Sequence, residues 1–404
     1  MFKVRCTTSD LENDDFVGLR FEDNQPTVIF PRGYALSETD EQKRKDIIRL
    51  FATILKFKDR YQGEEECAFD GEKYFSFPLL SYQYIIQNFL AHGYYIEKEK
   101  HYTNATKGKI SWKRTIQQIK PQIDDSNAVY LSFVVHQNRV NDNNLITKIH
   151  EYCVYESFRN LGWLYTTAMP PKPSITFNKN AFIAILTDGL HNTYDDEKKK
   201  LFSCMINIIS EADELFNSTK RKSFGVERFE YIWEGLVDYV FGEEDKKVFF
   251  PHSCWSIVDK EGLIKVNPPL EPDTIIRYNE AIFIIDAKYY KYGITMNPEH
   301  LPGTSSIQKQ ITYGEYIEKR FKVDHIYNAF VMPYKKEKDG PNYKFVSVGT
   351  ADWKQNSEKS YEFVLGILLD TRHLIDTYAR QNLSEIEELA QLIIQSLTQV
   401  RTLS

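Results

Sequence analysis

The sequence predicts an α/β protein, with a small N-terminal α+β domain followed by a larger core of mixed strands and helices. Three observations predict it. Apolar runs of period two and apolar stripes of period 3.6 alternate along the chain, the pattern of strands covered by helices. The 404 residues are 42% hydrophobic and 14% aromatic, enough for two or three separately buried cores. A charged share of 27%, with 18 Gly and 15 Pro, is that of a folded chain and excludes a disordered or fibrous one. The domain boundary is expected near residue 140, dividing 1–140 from 141–404.

In the first part, alternation predicts strands over Phe16–Phe21 and Thr27–Phe30. A helix over Lys43–Phe57 follows from the stripe Ile47, Ile48, Leu50, Phe51, Ile54 and Leu55. A second helix, Leu79–Leu90, closes near Gly93. The segment KEKHYTNATKGKISWKR then carries Lys98, Lys100, Lys107, Lys109, Lys113 and Arg114 around Tyr102 and Trp112, the clearest basic and aromatic cluster of the chain. A strand over Val129–His136 and a helix over Asn144–Leu161 come next, interrupted by Pro170, Pro171 and Pro173.

Helical periodicity returns over Ala181–Leu190, Lys198–Phe216 and Phe224–Phe241; the last carries the stripe Phe229, Ile232, Trp233, Leu236, Val237 and Val240. Strands are predicted at Lys247–Trp255 and Ala281–Tyr290, a helix at Ser305–Phe321, a strand at Ile326–Met332 ended by Pro333, and a strand at Tyr343–Gly349. Leu383–Leu403 reads as a closing helix. Ser384 and Glu387 have capping-box spacing, and Ile386, Leu389, Ile393, Leu397 and Val400 share one face.

Charge and cysteine usage exclude several classes. With 51 Lys+Arg against 57 Asp+Glu the net charge is −6, so any nucleic-acid contact must come from a local patch. Cys6, Cys67, Cys153, Cys204 and Cys254 are scattered without zinc-ligand spacing, which fits a reducing cytoplasm and argues against a disulfide framework. The N-terminus turns acidic at once and no run approaches the roughly 20 apolar residues of a membrane span. A cytoplasmic protein with no membrane contact is expected. No G-x-x-x-x-G-K-[ST] loop is present, so the chain is not itself a nucleotide-driven motor. No serine lies in a G-x-S-x-G elbow, and His252 with Cys254 reads as strand packing.

The chemistry concentrates at Asp286 and Lys288. Among the aspartate-x-lysine triplets, Asp196–Lys198 and Asp352–Lys354 lie in charged, solvated segments, whereas Asp286 and Lys288 end the apolar run AIFIIDAKYY. Residues two apart on a strand share a face, so a buried strand delivers a carboxylate and an ammonium together. Pro272-Asp273 lies one strand earlier, and a hairpin turning near Arg277–Glu280 would bring Asp273 beside Asp286. Two carboxylates at a strand end suit a hard cation: Mg²⁺, or Mn²⁺, held by Asp273, Asp286 and the Ala287 carbonyl, with Lys288 orienting the attacking water. Glu234 on the preceding helix would complete the ligands, with Glu230 one turn away as its competitor. The plainer alternative is a strand-end ion pair beside a Pro-Asp turn.

The order Glu234, Pro272-Asp273, Asp286-Ala287-Lys288 resembles the PD-(D/E)xK nuclease superfamily. More specifically, VGLRFEDNQPTVIFPRGY, KGKISWKRTI, RFEYIWEGLVDYVFG, LEPDTII with FIIDAKYY, and SIQKQITYGEYI resemble the LlaJI family of McrC-like restriction subunits. The resemblance implies a mixed central sheet flanked by helices and metal-dependent hydrolysis of double-stranded DNA by Glu234, Asp273, Asp286 and Lys288. It implies a site helix carrying Gln310 and Tyr313, although their spacing is one residue shorter than the usual Q-x-x-x-Y; otherwise Gln310 is a polar residue on a surface face. It also implies a McrB-like AAA+ partner that hydrolyses GTP. Lys107, Lys109, Trp112, Lys113 and Arg114 are then expected to contact that partner or DNA, or else to form a solvated hairpin face. Two other readings stay open: a regulatory subunit that stimulates the GTPase with a silent nuclease fold, and a nuclease acting on RNA or free ends without a motor.

Overall fold

A computed structural model describes residues 4–10, 15–22, 25–62, 77–96, 98–124, 127–140, 144–217, 222–258, 264–336, 344–352, 358–378 and 383–403. Cys67 and Lys354 lie outside the described residues. The chain divides into two units, one of residues 77–220 with the first two residues, the other of residues 3–76 and 221–404. The boundary expected near residue 140 falls inside the first unit. A contiguous reading cannot find a unit whose sheet joins strands from the start of the chain to one from its middle.

That assembly is visible in the first sheet. Among the described residues, β1 (Arg5–Thr8), β2 (Val17–Glu22) and β3 (Gln25–Phe30) form it with a strand from far downstream. α1 (Asp40–Gln62) follows, burying Ile47, Leu50, Phe51 and Ile54, while Ile48, placed on the apolar stripe by period, is 40% exposed.

In the smaller unit, α2 (Leu79–His92) ends at Gly93, whose φ of 77° suits glycine. β4 (Lys98–Ala105), β5 (Lys109–Ile110), α3 (Trp112–Gln118), the hairpin β6 (Gln122–Asp124) and β7 (Asn127–Val129), and β8 (Phe133–Val140) come next. β8 pairs with both β4 and β5. α4 (Leu145–Leu161), capped by the Asn144 side chain, α5 (Lys179–His191) and α6 (Asp196–Asn217) complete the unit. Asp196 is exposed there and pairs with Lys199.

The chain then returns to the larger unit with β9 (Ser223–Val226), antiparallel to β2. Periodicity predicts helix from Phe224, but Phe224–Val226 are strand and the helix α7 (Phe229–Phe241) begins only at Phe229. The reason is close backbone approach: a Cβ on Gly225 would meet the Val17 carbonyl at 2.3 Å. A strand expected over Lys247–Trp255 is instead a 3₁₀ turn, Lys246–Phe249, and a short strand β10 (Cys254–Ser256) paired with β11 (Ile264–Val266). Cys254 and His252 are exposed there, so neither packs a core.

The central sheet has the order β12 (Thr274–Tyr278), β13 (Ala281–Ala287), β14 (Ile326–Tyr334), β16 (Phe363–Asp370), β15 (Phe345–Asp352). β12 and β13 form a two-residue hairpin whose turn residues, Asn279 and Glu280, both have positive φ, 46° and 63°. Such a turn matches the strands' right-handed twist. β13 is buried at all seven positions, as a strand covered on both faces must be. Its parallel partner β14 requires a crossover, supplied by α8 (Tyr292–Thr295) and α9 (Thr304–Phe321). α9 lays Tyr313 and Ile317 on Ile275, Ile282, Ile284 and Ile326. β14 runs through Pro333 to Tyr334, one residue beyond the expected stop.

α10 (Thr371–Thr377) and α11 (Leu383–Leu403) close the unit. Ser384 is the second residue of α11, and Glu387 Oε1 accepts a hydrogen bond from the Tyr278 hydroxyl at 3.0 Å. Among the described residues no helix is long and apolar enough to cross a membrane.

His150 gives the smaller unit a measurable property. It is fully buried, its Nδ1 accepts from the Tyr95 amide at 3.0 Å, and Nε2 has no hydrogen-bond partner. Burial alone pushes its pKa down to about 4. Its depressed folded value means that the unfolded chain takes up a proton first as pH falls below about 6.5. Stability on the order of 3 kcal/mol is therefore lost between about pH 6.5 and 4. In melting curves across that window, His150→Phe should remove this part of the acid slope; an unchanged slope would contradict the assignment.

Candidate active site

The β12–β13 hairpin positions the acidic residues. Thr274 pairs with Ile285, so Asp273, one residue before β12, stands across from Asp286. Asp273 Oδ2 accepts the Ala287 amide at 2.9 Å. Directly opposed residues of an antiparallel pair share a face, so both carboxyls lie on the side of the sheet that Ile275 and Ile284 present to α9. Lys246 fixes the hairpin's entry: its Nζ reaches Asp238 at 2.8 Å and also donates to the Asp273 carbonyl.

The next residues complete the group. Asp286 is 2% exposed, and its Oδ2 lies 2.7 Å from Lys288 Nζ. One bond past the end of β13, Lys288 N donates to the Val331 carbonyl at 2.9 Å, which continues the parallel ladder and keeps Lys288 in phase with Asp286. The two-residue spacing thus delivers the carboxylate and ammonium together, as strand alternation predicts.

The electrostatics follow from burial and like charge. Asp273 is pushed up to about 8 by burial, by the charges of Asp286 and Glu234, and by its hydrogen bond to Asp286; the Ala287 amide acts in the opposite direction. Burial beside the charge of Asp286 thus favours the protonated form of Asp273 near neutrality. Burial works against the charge of Lys288, but Asp286 outweighs it and raises the lysine's pKa. Glu230 and Glu234 lie one turn apart on α7 and differ in what they meet. Glu230 is tied to Arg228 at 2.7 Å, whereas Glu234 acts electrostatically on Asp273.

α9 brings two further polar side chains inside. Gln310 and Tyr313 are both fully buried, so the surface-face reading of Gln310 is overturned. Neither Gln310 Nε2 nor Oε1 has a hydrogen-bond partner, nor does Tyr313 Oη. Tyr313 is raised by burial and by the charges of Asp286, Asp273 and Glu271, which sets its phenol within electrostatic reach of the acidic pair. Asn328 on β14 donates to the Gln310 carbonyl at 3.0 Å and to the Tyr361 carbonyl at 2.6 Å, anchoring this turn of α9. Sequence reading missed Lys246 and Asn328. Lys246 carries no motif, and Asn328 sits inside an apolar strand where only its burial draws notice.

Among the described residues, no three His, Cys, Asp or Glu side chains converge as a ready-made metal cage. The donor set is instead a carboxylate pair beside the Ala287 backbone. That set fits Mg²⁺, which takes oxygen ligands and keeps several waters, and does not fit a structural zinc.

The predicted contact residues lie in the smaller unit. Lys107, Lys109, Trp112, Lys113 and Arg114 are all exposed. Arg114 stacks on Tyr102 at 3.8 Å, and Trp112, 54% exposed, meets Tyr130 and Phe133 edge-on.

Comparison with known proteins places this chain in a family. Residues 16–354 match the model of the LlaJI restriction endonucleases. A 349-residue stretch is 25% identical to the Type II restriction enzyme BsuMI component YdjA of Bacillus subtilis (strain 168), covering 79% of this chain and 72% of that protein. Among solved structures, the chain is similar to a half-complex of Thermococcus gammatolerans McrB AAA+ hexamers with bound McrC, at 15% identity and a TM-score of 0.36, covering 92% of this chain and 83% of that one. It is also similar to the McrBC complex of the same organism, at 15% identity and a TM-score of 0.25, covering 55% and 64%. Likeness at this level is too remote to define the fold. The family match, by contrast, runs from the first sheet through the paired aspartates and Lys288 to β15, and the chain belongs to the LlaJI restriction endonuclease family.

Proposed function

We propose that this chain is the nuclease subunit of a restriction system, a Mg²⁺-dependent endodeoxyribonuclease with a PD-(D/E)xK core that works with a McrB-like AAA+ GTPase. The observation that carries the reading is the juxtaposition of Asp273, Asp286 and Lys288 at the end of a buried hairpin. A strand-end ion pair needs one carboxylate. Here a second is held against the first, at the cost of like-charge repulsion in a buried place, with a third carboxylate, Glu234, in electrostatic reach.

Asp273, Asp286 and the Ala287 carbonyl would hold Mg²⁺ or Mn²⁺, with Glu234 as a further carboxylate. When bound, the ion supplies charge neutralisation at phosphate oxygens and a more acidic water. The remaining chemistry is assigned to the chain's own groups. Lys288, held by Asp286, orients the attacking water and offsets negative charge developing on the phosphate. Tyr313 brings a buried hydroxyl on α9 to the face that carries the acidic pair, with Gln310 buried three residues before it. The partner reading rests on family membership and on this chain's lack of a phosphate loop; GTP would enter only through the partner. Lys107, Lys109, Trp112, Lys113 and Arg114 would contact that partner or DNA, since exposed cations among aromatic rings suit either surface.

The test is cleavage of supercoiled plasmid in Mg²⁺ by the full chain, with and without its AAA+ partner and GTP. Asp286→Ala should lower the rate by at least roughly a thousandfold while leaving folding and partner binding intact. Full activity in that variant would remove the site assignment.

A second expectation concerns pH. Because the folded pKa of Asp273 lies above its unfolded value, the stability linked to its proton is complete below about pH 4 and is lost as pH rises through about 8. In chelator, Asp273→Asn should melt higher than wild type at pH 9 and lose that advantage toward pH 4. Identical melting of the two proteins at both pH values would refute it.

Reversing the charges of Lys113 and Arg114 together should weaken assembly with the partner or association with DNA, with the salt dependence of a screened contact. Unchanged binding to both would show that this face is only solvated.

A further inference from the structure

Lys288 lies where β13 has ended, and what holds the chain beyond it comes from the far end of the sequence. Tyr289 is the next residue. Its carbonyl accepts Arg32 Nη1 at 3.0 Å, its hydroxyl accepts the Arg32 amide at 2.7 Å, and the guanidinium stands 5.0 Å from the centre of its ring. Arg32 is 7% exposed and 257 residues away in sequence. Its Nη2 pairs with Asp15, and its Nε has no hydrogen-bond partner, so the two terminal nitrogens orient the guanidinium.

Arg32 is itself held from several sides. Its carbonyl accepts Thr371 Oγ1 at 2.8 Å. Gly33 has φ +74°, and a Cβ there would meet the Tyr334 backbone at 2.6 Å, so only glycine allows the loop to come this close to the end of β14. The Gly33 amide donates to Asp10. Tyr289, for its part, packs on Phe229 and Trp233, on the helix that carries Glu234. Beyond it the chain turns at once, with Tyr290 N donating to the Lys288 carbonyl at 2.8 Å.

We propose that Arg32 is a positioning residue for Lys288, clamping Tyr289 at two points immediately after the last ladder bond, which Lys288 N makes to Val331, so that the ammonium is held against Asp286. The inference rests on the nuclease reading. If packing were the only requirement, an apolar side chain would fill the place of a buried cation at lower desolvation cost. A guanidinium that reaches the one carbonyl following Lys288 gives directional control instead. A small displacement of a catalytic group is enough to cost about two orders of magnitude in rate.

Steady-state cleavage of supercoiled plasmid by the full chain, supplied with Mg²⁺, the AAA+ partner and GTP, tests this with Arg32→Lys, which keeps the charge and loses the fork. The expected result is a kcat lowered roughly 10–100-fold with KM and melting temperature unchanged. Tyr289→Phe, which removes only the hydroxyl, should fall in the same direction by less and serves if Arg32→Lys does not fold. Combining the Arg32 change with Lys288→Arg should cost less than the product of the two single losses, because both act through one ammonium. Wild-type kcat in both Arg32→Lys and Tyr289→Phe, fully multiplicative losses, or a kcat loss matched by a lower melting temperature in both would overturn the assignment. If wild type cuts and Arg32 is indifferent, only this inference fails; if wild type does not cut under any condition, the nuclease reading fails and this inference with it.

Discussion

Two carboxyl groups held side by side on the buried face of a sheet impose the constraint on which the rest of the larger unit depends. At an effective dielectric of about 20, two like charges about 4 Å apart repel by roughly 4 kcal/mol, so the pair persists only if the scaffold keeps both strands in register. The hairpin does this with a two-residue turn that allows no slack and an apolar strand buried at every position. The Ala287 amide, Lys288 and Lys246 then offset the charge from three directions: a hydrogen bond to one carboxyl, an ion pair to the other and a bond to the Asp273 carbonyl. Near neutrality a proton on Asp273 completes the balance, in the place that the functional reading gives to a divalent cation.

The surrounding elements make sense as supports for that arrangement. Parallel pairing of β13 with β14 forces a crossover, and the crossover helix α9 is what packs Tyr313 on the carboxylate face and buries Gln310 three residues before it. Asn328 ties α9 back to β14 through backbone carbonyls, so the helix is held by a directed bond as well as by packing. On α7, the aromatic contacts of Phe229 and Trp233 with Tyr289 link the helix bearing Glu234 to the segment just after Lys288. The smaller unit contributes none of these groups. Its cations Lys107, Lys109, Lys113 and Arg114 and the Trp112 ring are exposed.

Much of this was legible in the sequence where a local rule applied. Strand alternation placed Lys288 with Asp286, and a Pro-Asp ahead of a short apolar run placed Asp273 across from them. Glu230 and Glu234 were harder to separate, since residues one turn apart share a helix face; the Arg228 ion pair distinguishes them. The strand Phe363–Asp370 was missed because burial on both faces leaves no alternation to detect. Val226 was read as helix because it happens to fall in phase with the stripe of α7, and that reading was carried back to Phe224. Gln310, between an exposed Lys309 and a mixed helix surface, showed no local sign of being fully buried. The division into units was beyond a linear reading, because strands from residues 5–30 and 223–226 share one sheet. The contact between Arg32 and Tyr289 is long-range in the same sense.

The central claim is that the paired aspartates form one divalent-cation site at which DNA is cut. The most direct measurement is electron paramagnetic resonance titration of the full chain with Mn²⁺, run beside plasmid cleavage in the same buffer. The account predicts a Mn²⁺ site that Mg²⁺ displaces, that is lost in Asp286→Ala, and whose occupancy tracks the cleavage rate. Cleavage that persists when Asp286→Ala has abolished that binding, or unchanged Mn²⁺ binding in the variant, would contradict it.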